Sequence, residues 1–103
     1  LGSMIMLGAY SIVNSLATIG NGVIINTGAI VEHECTIGDF VHVAPGAVLA
    51  GNVTVGDHTF IGAGAVVKQG VKICNDVIIG AGSVVVKDIE VPGTYVGIPA
   101  RKL

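Results

Sequence analysis

The sequence predicts an all-β fold, a parallel β-helix built from hexapeptide repeats. Three observations predict it. First, an aliphatic residue stands at every sixth position without a miss: Leu7, Val13, Ile19, Ile25, Val31, Ile37, Val43, Leu49, Val55, Ile61, Val67, Ile73, Ile79 and Val85. Ile, Leu and Val make up 35 of the 103 residues. Chance gives such a run in a fixed register roughly once in a few million trials. Second, a small or β-branched residue follows each by four: Ser11, Ala17, Val23, Ala29, Cys35, Val41, Ala47, Val53, Thr59, Ala65, Val71, Val77, Ser83 and Ile89. Third, the hexads group in threes, because their polar residues recur with period eighteen. Neither a helix period of 3.6 nor strict strand alternation produces this spacing, whereas a stacked hexapeptide repeat does.

The elements follow in order. Residues 1–6 are a lead-in, with Leu1-Gly2-Ser3 before Met4 read as a tag remnant. Residues 7–90 form the β-helix of four to five coils. In each hexad one large and one small side chain point inward, so stacked coils fill a narrow triangular core. Ile19-Gly20-Asn21, Ile37-Gly38-Asp39, Val55-Gly56-Asp57 and Ile73-Cys74-Asn75 stack on one side. Ile25 to Ala29, Val43 to Ala47, Ile61 to Ala65 and Ile79 to Ser83 stack on the next. Gly, Asn and Asp supply the backbone angles that the corners need. Residues 91–103 form a capping tail. A solenoid this short exposes its end coils and flat faces, so oligomerisation is expected.

Composition excludes several classes. The chain is 51% hydrophobic and 12% charged. No apolar run approaches the ~18 residues of a membrane span, because Gly, Asn, Asp and Thr interrupt at fixed phase. No signal-peptide pattern is seen. Cys35 takes an inward small position, and Cys74 replaces a corner Gly. They lie two coils apart, roughly 10 Å at ~4.8 Å per coil, beyond disulfide reach. Two free thiols favour a reducing compartment and hence a cytoplasmic protein. All five basic residues, Lys68, Lys72, Lys87, Arg101 and Lys102, lie in the last third. Glu32, Glu34, Asp39 and Asp57 precede them. With two Tyr, two Phe and no dense basic patch, nucleic acid is a poor partner. A phosphorylated small molecule laid along the coils fits better.

The chemistry must come from few residues. His33 takes an outward position in the polar stretch Val31-Glu32-His33-Glu34-Cys35. The adjacent carboxylate of Glu34 can hold its tautomer and raise its basicity, as a general base requires. Gly51 lies eighteen residues later, on the same corner of the next coil. A Gly there lets a ligand approach a backbone N–H, the kind of donor that stabilises an oxyanion. His42 is half a coil away and faces elsewhere in one chain, but in a threefold trimer it could meet His33 of the next subunit across a cleft. His58 reads as a surface corner residue. Cys35 reads as core filler rather than nucleophile. No metal-ligand spacing stands out.

The hexad pattern, the stretch from Val31 to His42, Ala50-Gly51-Asn52-Val53 and the closing Val96-Gly97-Ile98-Pro99-Ala100-Arg101 together resemble the family of sialic acid O-acetyltransferases and bacterial UDP-aminosugar N-acetyltransferases. The resemblance covers nearly the whole chain from about residue 7. It implies a left-handed coil, an exception to the right-handed crossover rule, and a homotrimer that holds acetyl-CoA in clefts between neighbouring coils. It also implies an acetyl-CoA-dependent acetyltransferase acting on an amine or hydroxyl of a sugar-like small molecule.

The same resemblance assigns roles. His33 matches the general base, Glu34 its partner carboxylate and the Gly51 amide the oxyanion donor. His42 matches a position near the acetyl group. Ala63 and Ala81 match turns along the pantetheine path, and the CoA phosphates fall near Lys68, Lys87 and Arg101. Relatives carry an N-terminal Rossmann-like domain, and here almost nothing precedes the first coil. Two other classes share the architecture. One is a zinc enzyme with three interface histidines, whose spacing the intervals of 9 and 16 between His33, His42 and His58 do not resemble. The other is a non-catalytic trimeric scaffold or a CoA-binding fragment lacking its acceptor domain.

Overall fold

A computed structural model describes residues 1–103. Each hexad contributes a strand of about two residues, and successive strands fall on three different sheets. Sheet A stacks Met6–Leu7, Ile24–Ile25, His42–Val43, Phe60–Ile61, Val77–Ile79 and Gly93–Val96, all parallel. Sheet B stacks Ile12–Val13, Ile30–Val31, Val48–Leu49, Val66–Val67 and Val84–Val85. Sheet C stacks Thr18–Ile19, Thr36–Ile37, Thr54–Val55 and Lys72–Ile73, and a bridge from Ile73 to Ile89 continues it. The registers Ile12 to Ile30, Thr18 to Thr36 and Ile24 to His42 are each eighteen residues. The result is a parallel β-helix, a triangular prism with corners A/B, B/C and C/A. No helix is long and apolar enough to cross a membrane.

The predicted inward residues form the core. Every large position from Ile19 to Val85 is buried, as is every small one from Val23 to Ile89. Leu7, which starts the series, remains 51% exposed because only one coil covers it. Thr59 puts a hydroxyl inside without penalty. Its Oγ1 donates to the Cys74 carbonyl at 3.0 Å and accepts from the Val77 N–H at 3.3 Å, as a buried hydroxyl must.

The C/A corner is tied by a side-chain ladder. Asn21, Asp39, Asp57 and Asn75 each accept, through Oδ1, a backbone N–H from the coil below, at 2.7–2.8 Å. This explains the glycine before each rung. A Cβ on Gly38 would collide with Asp57 Oδ1, and one on Gly56 with Asn75 Oδ1. The ladder ends at Asn75, so position 74 tolerates Cys.

The ends go beyond the sequence-based boundaries. The Gly2 N–H donates to the Ile19 carbonyl at 2.8 Å, and the Gly22 N–H donates to the Ser3 carbonyl at 2.9 Å. The coil geometry therefore begins ahead of Leu7. At the other end Gly93–Val96 adds a rung to sheet A before Arg101–Lys102 turns back antiparallel to it. The tail thus extends the solenoid and then caps it.

Candidate functional site

The B/C corner carries the most polar cluster. Glu34 adopts the left-handed corner conformation at φ +62, which turns its carboxylate back beside the preceding residue. His33 Nδ1 and Glu34 Oε1 are 3.4 Å apart, and both side chains are more than half exposed. The pair is an ion pair only when the imidazole is protonated; in the neutral ring an Nδ1–H can donate to the carboxylate. Glu32 points elsewhere, its Oε1 accepting from Asn14 Nδ2 at 2.7 Å.

His33 and Gly51 fit together as the eighteen-residue interval predicts. The imidazole lies across the Gly51 backbone: a Cβ there would stand 2.8 Å from His33 Cε1 and 2.9 Å from Nε2. Only glycine leaves room for the ring. Gly51 is buried. Its carbonyl accepts the Gly70 N–H at 3.0 Å, yet its own N–H has no acceptor. Buried N–H groups are nearly always paired, so an unpaired one at this corner is a donor that a ligand could use. The N–H groups of Ala63 and Ala81 also lack acceptors, although Ala63 accepts from Gly82 at 2.8 Å.

Cys35 is buried two residues after His33, and its thiol donates to the Ala50 carbonyl at 3.2 Å. Burial pushes the thiol up from its usual value, an effect only partly offset by backbone hydrogen bonds. A protonated, enclosed thiol is core filler, not a nucleophile.

The structure divides the remaining site residues between two sides of the prism. His42 stands on sheet A, opposite the B/C corner, so one chain does not bring it to His33. Its Nε2 lies 3.1 Å from Asn26 Nδ2. With the amide donating, the ring proton is on Nδ1. Phe60 meets its ring edge to face at 5.1 Å. Asn26 escaped sequence reasoning, although its signal was present: Ile24 pairs with His42, and Asn26 stands just past the end of that strand. Ala63 and Ala81 stack at the A/B corner. Lys68 and Lys87 belong to the B/C side. The returning tail brings Arg101 to Lys87, and with Val86, Pro99 and Ala100 they line a small pocket. Asp88 and Glu90, together with Lys72, line a wider groove nearby on sheet C, so that groove mixes both signs, whereas Lys87 and Arg101 meet without a carboxylate in the smaller pocket. His58 is exposed, as expected of a surface corner, and stacks on Phe40 at 5.3 Å. Within the chain no group of three or more His, Cys, Asp or Glu side chains is placed to hold a metal ion.

The profile of the bacterial transferase hexapeptide family, six repeats long, matches residues 16–51 and again residues 52–87. The chain belongs to this hexapeptide transferase family. Its coil is the left-handed parallel β-helix that the resemblance implies. Among solved structures, the acetyltransferase domain of PglB from Neisseria gonorrhoeae is 38% identical at a TM-score of 0.91, covering 99% of this chain and 53% of that one. PerB from Caulobacter crescentus, solved with CoA and GDP-perosamine, is 42% identical at a TM-score of 0.91, with 96% and 51% covered. A maltose O-acetyltransferase from Clostridium difficile is 28% identical at a TM-score of 0.91, with 100% and 67% covered. This chain therefore spans about half the length of the first two. No curated protein sequence matches it significantly.

Proposed function

We propose that this hexapeptide transferase chain moves an acetyl group from acetyl-CoA to an amine or hydroxyl of a sugar-like acceptor, as a cytoplasmic homotrimer. The observation that carries the proposal is the His33 imidazole lying against Gly51, whose N–H has no acceptor within the chain. A proton acceptor and an oxyanion donor side by side are what acyl transfer needs. PerB, with CoA and GDP-perosamine bound, supports both substrates by similarity.

His33 accepts a proton from the acceptor as its nitrogen or oxygen attacks the thioester carbonyl. Glu34 favours the resulting imidazolium. The Gly51 N–H holds the developing oxyanion, a contribution of typically ~3 kcal/mol. Collapse expels the CoA thiolate, which takes up the proton held by the His33 imidazolium. His42, held by Asn26, comes from the adjacent subunit and positions the acetyl end.

The residues present fit CoA. The free N–H groups of Ala63 and Ala81 suit the pantetheine carbonyls, and Gly64 and Gly82 leave open space for close approach. Lys68, Lys87 and Arg101 suit the phosphates. Calorimetry should show CoA binding to a trimer, and thiol release from acetyl-CoA should depend on an acceptor. GDP-perosamine and maltose are the first two to try. No CoA binding at millimolar ligand removes the enzyme reading. Binding without turnover of any acceptor leaves the CoA-binding fragment.

A further inference from the structure

Two residues break the column rules on the sheet A side, and they touch each other. The outward positions of the sheet read Met6, Ile24, His42, Phe60 and Ile78, so His42 is the one polar rung among them. The position after each large inward residue reads Gly8, Asn26, Ala44, Gly62 and Gly80, so Asn26 is the one amide. The later coils stack without either. Asn26 Nδ2 and His42 Nε2 are 3.1 Å apart.

The amide has one workable orientation. Its Oδ1 accepts the Thr27 N–H at 2.7 Å and lies 3.3 Å from the Thr27 hydroxyl. A backbone N–H only donates. Exchanging the amide atoms would therefore set two donors against each other at 2.7 Å. Nδ2 must face the imidazole, and Nε2 must accept. In the neutral ring the single proton is then on Nδ1. No group in the chain takes that proton, because the Asn26 contact is the only hydrogen bond of the His42 side chain. Phe60 packs edge to face on the ring at an interplanar angle of 79° and limits its rotation.

Building on the acetyl-transfer reading above, we propose that Asn26 is a positioning residue that locks His42 as a hydrogen-bond donor, through Nδ1, for a carbonyl oxygen of the acyl donor. The two histidines then differ by their partners. His33 stands beside a carboxylate, which suits a ring that gains a proton. His42 stands beside the N–H of an amide, which suits a ring that keeps hydrogen on its other nitrogen. Nδ1 carries that hydrogen in the neutral and the charged ring alike, so the donor does not depend on pH. The ladder neighbours Ile24 and Phe60 and the partner Asn26 bring no titratable group to the ring.

An isosteric swap tests the lock. Asn26→Asp keeps the bond to the Thr27 N–H but can only accept, so it draws hydrogen onto Nε2. Nδ1 then holds hydrogen only while the ring is charged, and loses it as pH rises. Asn26→Ala, which copies Ala44 in the next coil, removes both bonds. Rates with acetyl-CoA, and an acceptor that the wild type uses, are read across pH as a ratio of variant to wild type. The Asn26→Asp ratio should fall by on the order of 10² from acid to alkaline pH, as for one lost oxyanion donor. The Asn26→Ala ratio should stay flat at about one tenth. A merely structural role gives a flat ratio for both, with Asp the milder change, and overturns the proposal. Long-range proton–nitrogen NMR correlation on the wild type reads the tautomer without turnover. It should find hydrogen on Nδ1 of the neutral His42 ring, and hydrogen on Nε2 overturns the lock whatever the rates. Hydrogen on Nδ1 in a chain that binds no CoA removes the acyl donor as its acceptor, and with it the acetyl-transfer reading, but leaves the lock standing.

Discussion

Replacing Gly51 by alanine separates the fold from the chemistry. Gly51 does not adopt a positive φ, so the backbone accepts alanine. Such a replacement stiffens the unfolded chain and typically stabilises by ~0.4–1 kcal/mol. The backbone N–H also survives, so the oxyanion donor is retained. What changes is His33. The new Cβ would stand 2.8 Å from Cε1, whereas ordinary contact begins at 3.4 Å. The exposed ring must therefore retreat by at least about 0.6 Å, and it rotates away from the Gly51 amide as it does so. A misplacement of ~1 Å in a catalytic group costs about 10²-fold. Gly51→Ala should melt at or above the wild-type temperature and keep its CoA affinity, while kcat falls by about 10- to 100-fold. Thiol release from acetyl-CoA, with an acceptor that the wild type uses, reads the rate. The double variant with His33→Ala should be no slower than His33→Ala alone, because both act through the same ring. Gly51→Ala running at the wild-type rate would refute the reasoning.

Other outcomes follow from the same geometry. His33→Ala should lower kcat by about 10²–10⁴ with CoA affinity nearly intact, and Glu34→Ala should cost less, since it acts only through the imidazolium. Cys35→Ala should lower the melting temperature but not the rate, because the buried thiol fills space; iodoacetamide should label Cys35 only as the chain unfolds. Its raised thiol pKa means the folded chain keeps a proton that the unfolded chain loses. That stabilisation is full below the usual thiol value of 9.0 and fades as pH rises above it, a trend that Cys35→Ala should remove from alkaline melting curves. Lys87→Ala and Arg101→Ala should weaken CoA more than dephospho-CoA, and calorimetry at rising salt should shrink the difference.

Much of the site was legible because a β-helix turns sequence separation into spatial contact. Residues eighteen apart are neighbours on adjacent coils, so the stacking of His33 on Gly51 and of Ala63 on Ala81 could be counted off the chain. The core could be counted the same way, from Ile19 to Val85. The sequence by itself therefore determined the architecture, the hexad register, the inward residues and the opposition of His33 and His42 within one chain. Tertiary structure alone decided what periodicity does not encode. Rotamers set the contact of Asn26 with His42 and the capture of Glu32 by Asn14, which leaves Glu34 to the imidazole. The backbone path through the corner left the Gly51 N–H without an acceptor while its carbonyl found Gly70. The tail leaves the hexad register after Ile89, so its return to place Arg101 beside Lys87, anchored by the Ala100 N–H on the Val84 carbonyl at 2.8 Å, follows from its own turns and hydrogen bonds rather than from a repeat.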